Sequence, residues 1–209
     1  MAPRLGRTAA FCCLFVLSLG ALADIPQTFA KLRDRSQPLD SLSSFLERYV
    51  GTCTDLLTRA ECQANAKRAR AEMTGKSYYL ILDESATRML RPGTFDPRTR
   101  KYRLDLTPFF DAGGLALTDG APLGQDGEGR PRIPLMPLYA ELAPDQFPMD
   151  LERLLRTNNV KVHIVFKPTG TWSLPSKGGQ SYEGVKAKFL AVRLTNARNG
   201  DEIALRVKD

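Results

Sequence analysis

The chain has 209 residues, with 30 Lys+Arg against 23 Asp+Glu, a single histidine and four cysteines. That length accommodates one ordinary domain with a small appendage and gives a core that needs no metal to hold it. A mildly basic balance spread along the chain, without massed Lys/Arg runs, argues against a nucleic-acid binder and leaves anionic polymers or lipid head groups as partners.

The first 23 residues, "MAPRLGRTAAFCCLFVLSLGALA", carry a basic head at Arg4 and Arg7 and an apolar run from Ala9 to Leu22. This is the layout of a secretory signal peptide, too short to span a bilayer as a helix. Ala21 and Ala23 flank Leu22 in a small-x-small pattern, which places cleavage between Ala23 and Asp24. Removing 23 of 209 residues leaves 186, and losing two arginines leaves 28 basic against 23 acidic groups, a net charge of +5. The expected site of action is the periplasm or the medium, with no transmembrane segment after cleavage.

Cys12 and Cys13 leave with the signal, so Cys53 and Cys62 remain as an even pair in an oxidising compartment, the setting for a disulfide. A structural zinc wants four ligands, and the one histidine, His163, is far along the chain. A thiol-disulfide oxidoreductase is expected to carry C-x-x-C, which this spacing is not. No metal or cofactor is expected.

Asp24 to Pro38 shows no periodicity and reads as a lead-in. Leu42, Phe45, Leu46, Tyr49 and Val50 then recur at helical spacing, with Asp40 as N-cap and Gly51 as the stop. Thr58 and Glu61 have the spacing of a capping box and open a second helix from Arg59 to Met73, ended by Gly75. One unbroken helix would hold the two cysteines too far apart to bridge, so the break between the helices is what allows Cys53 to reach Cys62.

Beyond Gly75 the pattern turns extended. "SYYLIL" and "KYRLDLTPFF" read as strands, with "RPGTFDPRTR" as a turn between them. Pro122 to Pro137 reads as a long hairpin loop feeding a proline-bearing edge strand, "LMPLYAEL". "DLERLLRTN" is a short helix capped by Asp150. "VKVHIVFK" is a strand with Val160, Val162, Ile164 and Phe166 on one face, and the last two strands turn at Asn199-Gly200. The expected fold is α+β: residues 24–75 a lead-in and disulfide-stapled helical hairpin, residues 76–209 a mainly antiparallel sandwich or partly open barrel with one inserted helix.

No catalytic set emerges. His163 lacks a G-x-S-x-G partner motif and reads as a solvent-facing or sheet-packed side chain. The adjacent acids Asp83-Glu84 and Asp201-Glu202 cannot flank one glycosidic bond and read as solvated turns. "GQDGEGRPR" lacks the context of a phosphate loop and reads as a mobile turn. Lys67, Arg68 and Arg70 read as a solvated helix face. Lys167 to Gly184 is the stretch singled out for binding. It reads as a long loop between two strands and carries the sole tryptophan, Trp172, with Lys177 and Tyr182, an aromatic and cationic mixture suited to recognition. The opposing expectation is that Trp172 covers one end of the core.

The segments "YVGTC", "TFDPRT", "LTPFFDAGG", "NNVKVHIVFKP" and "YEGVKAKFL" resemble a family of uncharacterised exported bacterial proteins of unknown function. The resemblance implies export and a shared fold and transfers no site residues. The functional expectation is a non-catalytic binding or accessory module of the cell envelope, contacting an envelope polymer or a protein; the alternative is a periplasmic or secreted hydrolase.

Overall fold

The computed structural model describes residues 24–51, 58–82, 88–175 and 181–208. The expected signal peptide up to Ala23, Cys53, the Asp83-Glu84 pair and Lys177 lie outside the described residues. The chain is α+β, with four helices among the described residues and mostly antiparallel strands in two sheets that do not close into a barrel.

The lead-in is structured, contrary to expectation: Asp24–Asp34 forms helix α1, and Gln37–Pro38 forms a short strand, β1, parallel to β2 (Tyr78–Leu82). Helix α2 (Leu42–Val50) is capped by Ser41, one residue later than expected, whose hydroxyl accepts from the Ser44 N–H at 3.2 Å. Gly51 ends it in the left-handed conformation, as its position suggested. Helix α3 (Arg59–Met73) starts in the expected capping box: Glu61 accepts from the Thr58 N–H at 2.8 Å, and the Glu61 N–H donates to the Thr58 hydroxyl at 3.3 Å. Cys62, Ala66, Ala69 and Met73 form its buried stripe, while Lys67 and Arg68 are exposed.

Strands β3 (Leu90–Asp96), β4 (Lys101–Leu106) and β7 (Met136–Glu141) make the smaller sheet, in the order β3-β4-β7. The stretch read as a turn, "RPGTFDPRTR", is therefore largely strand β3. Its Pro92 and Gly93 sit at a register shift, where the missing N–H of proline is tolerated on an edge. Helix α4 (Pro148–Arg156) has Phe147 at its N-cap position, with Asp150 inside the first turn accepting from the Phe147 N–H at 3.4 Å. Tyr102 of β4 donates its hydroxyl to Glu152 of α4 at 2.9 Å; burial and that carboxylate push the phenol up to about 12.

The larger sheet runs β1-β2-β8-β9-β6-β5, with β5 formed by Phe109–Ala112 and β10 also paired to β9. Its spine is a hairpin of two 16-residue strands, β8 (Val160–Pro175) and β9 (Ser181–Asn196). The supposed loop from Lys167 to Gly184 is for the most part the far half of this hairpin, with Trp172 opposite Gly184 and Leu174 opposite Tyr182. The sequence misled because Pro168, Gly170 and Pro175 are turn residues elsewhere; here they fall at a bulge and at the strand end. One edge of β9 is shared: Glu183–Ala187 pairs in parallel with β6 (Leu115–Asp119), and Ala191–Thr195 pairs antiparallel with β10 (Glu202–Val207). The turn at Asn199-Gly200 is as expected.

One core joins the elements. Val160, Val162, Ile164 and Phe166 of β8 face inward, as their alternation required, against Phe45 and Leu46 of α2 and Leu104 and Leu138 of the smaller sheet. The opposite face of the larger sheet is covered by α1, whose Phe29 packs on Val165 and Ala191.

Candidate binding groove

Strand β5 (Phe109–Ala112) turns into β6 through Gly113-Gly114, both at positive φ (61° and 80°), the conformation a two-residue hairpin requires. Alternation along β5 sends Phe110 into the core and turns Phe109 and Asp111 outward. There they form one wall of an open groove of about 630 Å³. Met89, Arg91 and Thr107 continue the lining, Tyr182 of β9 contributes an aromatic face, and Ile133 and Leu135 enter from the 120–135 connection. The Met89 carbonyl accepts from the Thr107 N–H at 2.8 Å, which fixes one side of the groove to the other.

The connection itself is ordered, not the mobile turn its glycines suggested. The Asp126 carboxylate accepts from the N–H groups of Glu128 and Arg130, each at 2.9 Å, and from Arg130 Nε at 2.9 Å. These bonds, led by the Arg130 N–H, hold the carboxyl below its ordinary value. The side-chain amide of Gln125 donates to Gly129 O at 2.9 Å and also to Pro175 O at the end of β8. Arg130 is spent on Asp126 and Glu128. Arg91 and Asp111 make no ion pair among the described residues, so beside the paired Asp126 and Arg130 the groove presents one uncommitted cation and one uncommitted anion amid apolar and aromatic side chains.

The three residues singled out from sequence fall differently. Tyr182 lines the groove. Trp172 stands behind its wall, half-buried, with its ring 6.4 Å from that of Phe109. Its indole N–H donates to the Thr118 hydroxyl at 3.0 Å, which donates in turn to Gly120 O at 2.6 Å. Trp172 therefore packs beside Phe109 from a ring anchored to Thr118. Lys177 is outside the described residues. Sequence reading missed Met89, Arg91, Phe109, Asp111, Ile133 and Leu135; the signal that was there is the Phe109-Phe110 doublet, one ring in and one ring out.

His163 lies on the face of the larger sheet that is turned away from the core, at the end near α1. Its Nδ1 is 2.8 Å from the Tyr79 hydroxyl and its Nε2 is 2.9 Å from that of Thr195, a row linking β2, β8 and β9 on the face that α1 covers. A neutral imidazole uses one nitrogen as donor and the other as acceptor, and hydroxyls serve either arrangement. Burial, aided by Arg193, Lys161 and Arg33, pushes the ring down to about 4. The unfolded chain thus binds a proton between about pH 6.5 and pH 4 that the folded chain refuses, so this residue's contribution to stability is complete above that window and is lost as pH falls through it. His163→Gln is expected to make the melting temperature depend less on pH across this range than wild type does. Parallel melting curves of the two proteins check this, and equal pH dependences contradict it.

Among the described residues there is no group of three His, Cys, Asp or Glu side chains placed to hold a metal ion. No helix of the described residues is long and apolar enough to cross a membrane. Neither the curated proteins nor the solved structures contain a match to this chain. One family model matches residues 6–209, nearly end to end, and the chain belongs to that family, DUF6066, a family of unknown function.

Proposed function

We propose that the protein is an exported, non-catalytic binding or accessory module of the bacterial cell envelope, and that the groove walled by Phe109 and Tyr182 is its contact surface. The observation that carries the binding reading is the groove itself: two aromatic rings, apolar side chains and two uncommitted opposite charges on a rigid sheet edge. Aromatic faces give large contact area at small entropic cost. The test compares wild type with Phe109→Ala/Tyr182→Ala for cosedimentation with isolated cell-wall and membrane fractions. Wild type should cosediment with one fraction and the double variant should not, while both keep similar melting temperatures. Equal behaviour of the two proteins contradicts the assignment.

Export rests on the N-terminal pattern, and cleavage after Ala23 leaves every described element in the mature chain. The Cys53–Cys62 bridge belongs to the same reading. Its support is the even cysteine count of the exported chain and the burial of Cys62, while Cys53 lies outside the described residues. Intact mass of protein from the periplasm or medium should match a chain starting at Asp24, and non-reducing peptide mapping should link the two cysteine peptides. A full-length cytoplasmic product or a free Cys53 thiol contradicts these points.

The hydrolase alternative would use the Tyr79–His163–Thr195 row, the one place where the described residues bring the histidine to hydroxyls. It is weakened by α1, which packs against that face. Activity against envelope esters or amides that His163→Ala abolishes would favour it.

A further inference from the structure

We propose that the open edge of β5 is a strand-addition site for an extended peptide of a partner protein, one carrying an apolar residue flanked by an acidic and a basic side chain. This deepens the groove reading and rests on it. Among the described residues, strand β5 ends the larger sheet and pairs only with β6. The Asp119 N–H donates to Pro108 O at 3.3 Å. Antiparallel residue pairs alternate between bonded and non-bonded. Pairs 108/119, 110/117 and 112/115 are therefore the bonded ones, and the two-residue turn at Gly113-Gly114 requires the last of these. Phe109 and Asp111 consequently aim their main-chain groups away from β6. The Phe109 N–H is taken by Thr107 O at 2.7 Å. Among the described residues, the Phe109 carbonyl and both main-chain groups of Asp111 have no partner and are left for the open edge.

Two cavities adjoin that edge. The groove lies on the side of Phe109 and Asp111, and a second cavity of about 200 Å³ is lined by Leu42, Leu82, Met89 and Phe110 together with the charged Arg88 and Asp111. An added strand sends successive side chains to opposite faces. Its groove-side residues would meet Arg91 and Asp111, which call for an acid and a base. The residue between them would enter the second cavity, against Leu42, Leu82 and Phe110. Main-chain bonds would supply affinity and the two charges would supply choice of sequence.

The test selects short random displayed peptides on the mature protein, then measures synthetic versions of the enriched sequence. Enriched peptides should alternate acidic, apolar and basic residues. Arg91→Glu should exchange the acid for a base in the selected sequences, and Asp111→Lys the base for an acid; both residues are exposed, and unchanged melting curves verify the fold. Methylating the peptide nitrogen that faces Asp111 should weaken binding about tenfold, as removal of a main-chain hydrogen bond does at the upper end of its range. No enrichment, no charge pattern, or indifference to methylation overturns the proposal, as does self-association of the protein through β5. If no peptide is enriched but Phe109→Ala/Tyr182→Ala still abolishes cosedimentation with an envelope fraction, strand addition fails and the groove assignment stands.

Discussion

Phe166→Ala is expected to destabilise the protein by about 3–5 kcal/mol, the usual cost of removing a fully buried aromatic ring. Phe166 has no exposed surface and meets three rings: Phe45 edge-on at 5.3 Å, Tyr78 at 5.9 Å and Phe189 at 6.4 Å. Those rings come from α2, β2 and β9, so one truncation opens a cavity where helix and sheet meet. Collapse into the space is resisted because Phe166 and Phe189 are cross-strand partners in the long hairpin, which ties their backbones to each other. Chemical denaturation should show a lower midpoint with the slope retained. A loss under about 1 kcal/mol, within the range of ordinary surface substitutions, would mean that the helices and the larger sheet do not share this core.

Gly184→Ala is the second large effect, expected at about 1–3 kcal/mol from overpacking. Gly184 faces Trp172 across the hairpin. A Cβ there would stand 2.7 Å from Trp172 Cζ2 and would run into the Ala116 carbonyl oxygen of the neighbouring parallel strand. The indole can shift; the β6 backbone has far less freedom. Displacing the ring should change tryptophan fluorescence, since the indole N–H loses its bond to Thr118, and should disturb Phe109 at the groove wall. Adding Trp172→Phe to Gly184→Ala should recover only part of the lost stability, because the clash with Ala116 remains. Full recovery would show that the ring alone limits the space, and no destabilisation would contradict the packing of β6 on β9.

The parts of this fold that were legible in the sequence are those with strong local signals. The α2 stripe, the Thr58–Glu61 box, the inward row from Val160 to Phe166 and the Asn199-Gly200 turn each combine a period with a residue that starts or stops it. Helix α1 was missed because its apolar repeat in the sequence, Ile25, Phe29 and Leu32, is short, and its hold comes from Tyr79 and Val165, residues far along the chain. Strand β6 was missed because Leu115, Ala116, Leu117 and Thr118 are all buried, so no alternation marks them. Of the groove, Tyr182 was legible as an aromatic in a suggestive segment. Phe109, Arg91 and Leu135 come together only through the tertiary fold. Trp172 drew notice for recognition, yet its half-buried place against Gly184 and Thr118 is the one a wall-supporting residue takes.

The central claim is that the groove is where this protein meets its partner. The most direct measurement replaces Tyr182 with a photo-cross-linking amino acid in the producing cells and, separately, does the same at Ile81, an exposed apolar side chain on β2, outside the groove lining. After irradiation, covalent adducts are resolved by gel and mass spectrometry. The account predicts a discrete adduct from position 182 that is absent from position 81 and is lost when Phe109→Ala is added. Adducts at both positions alike, or at neither, would contradict it.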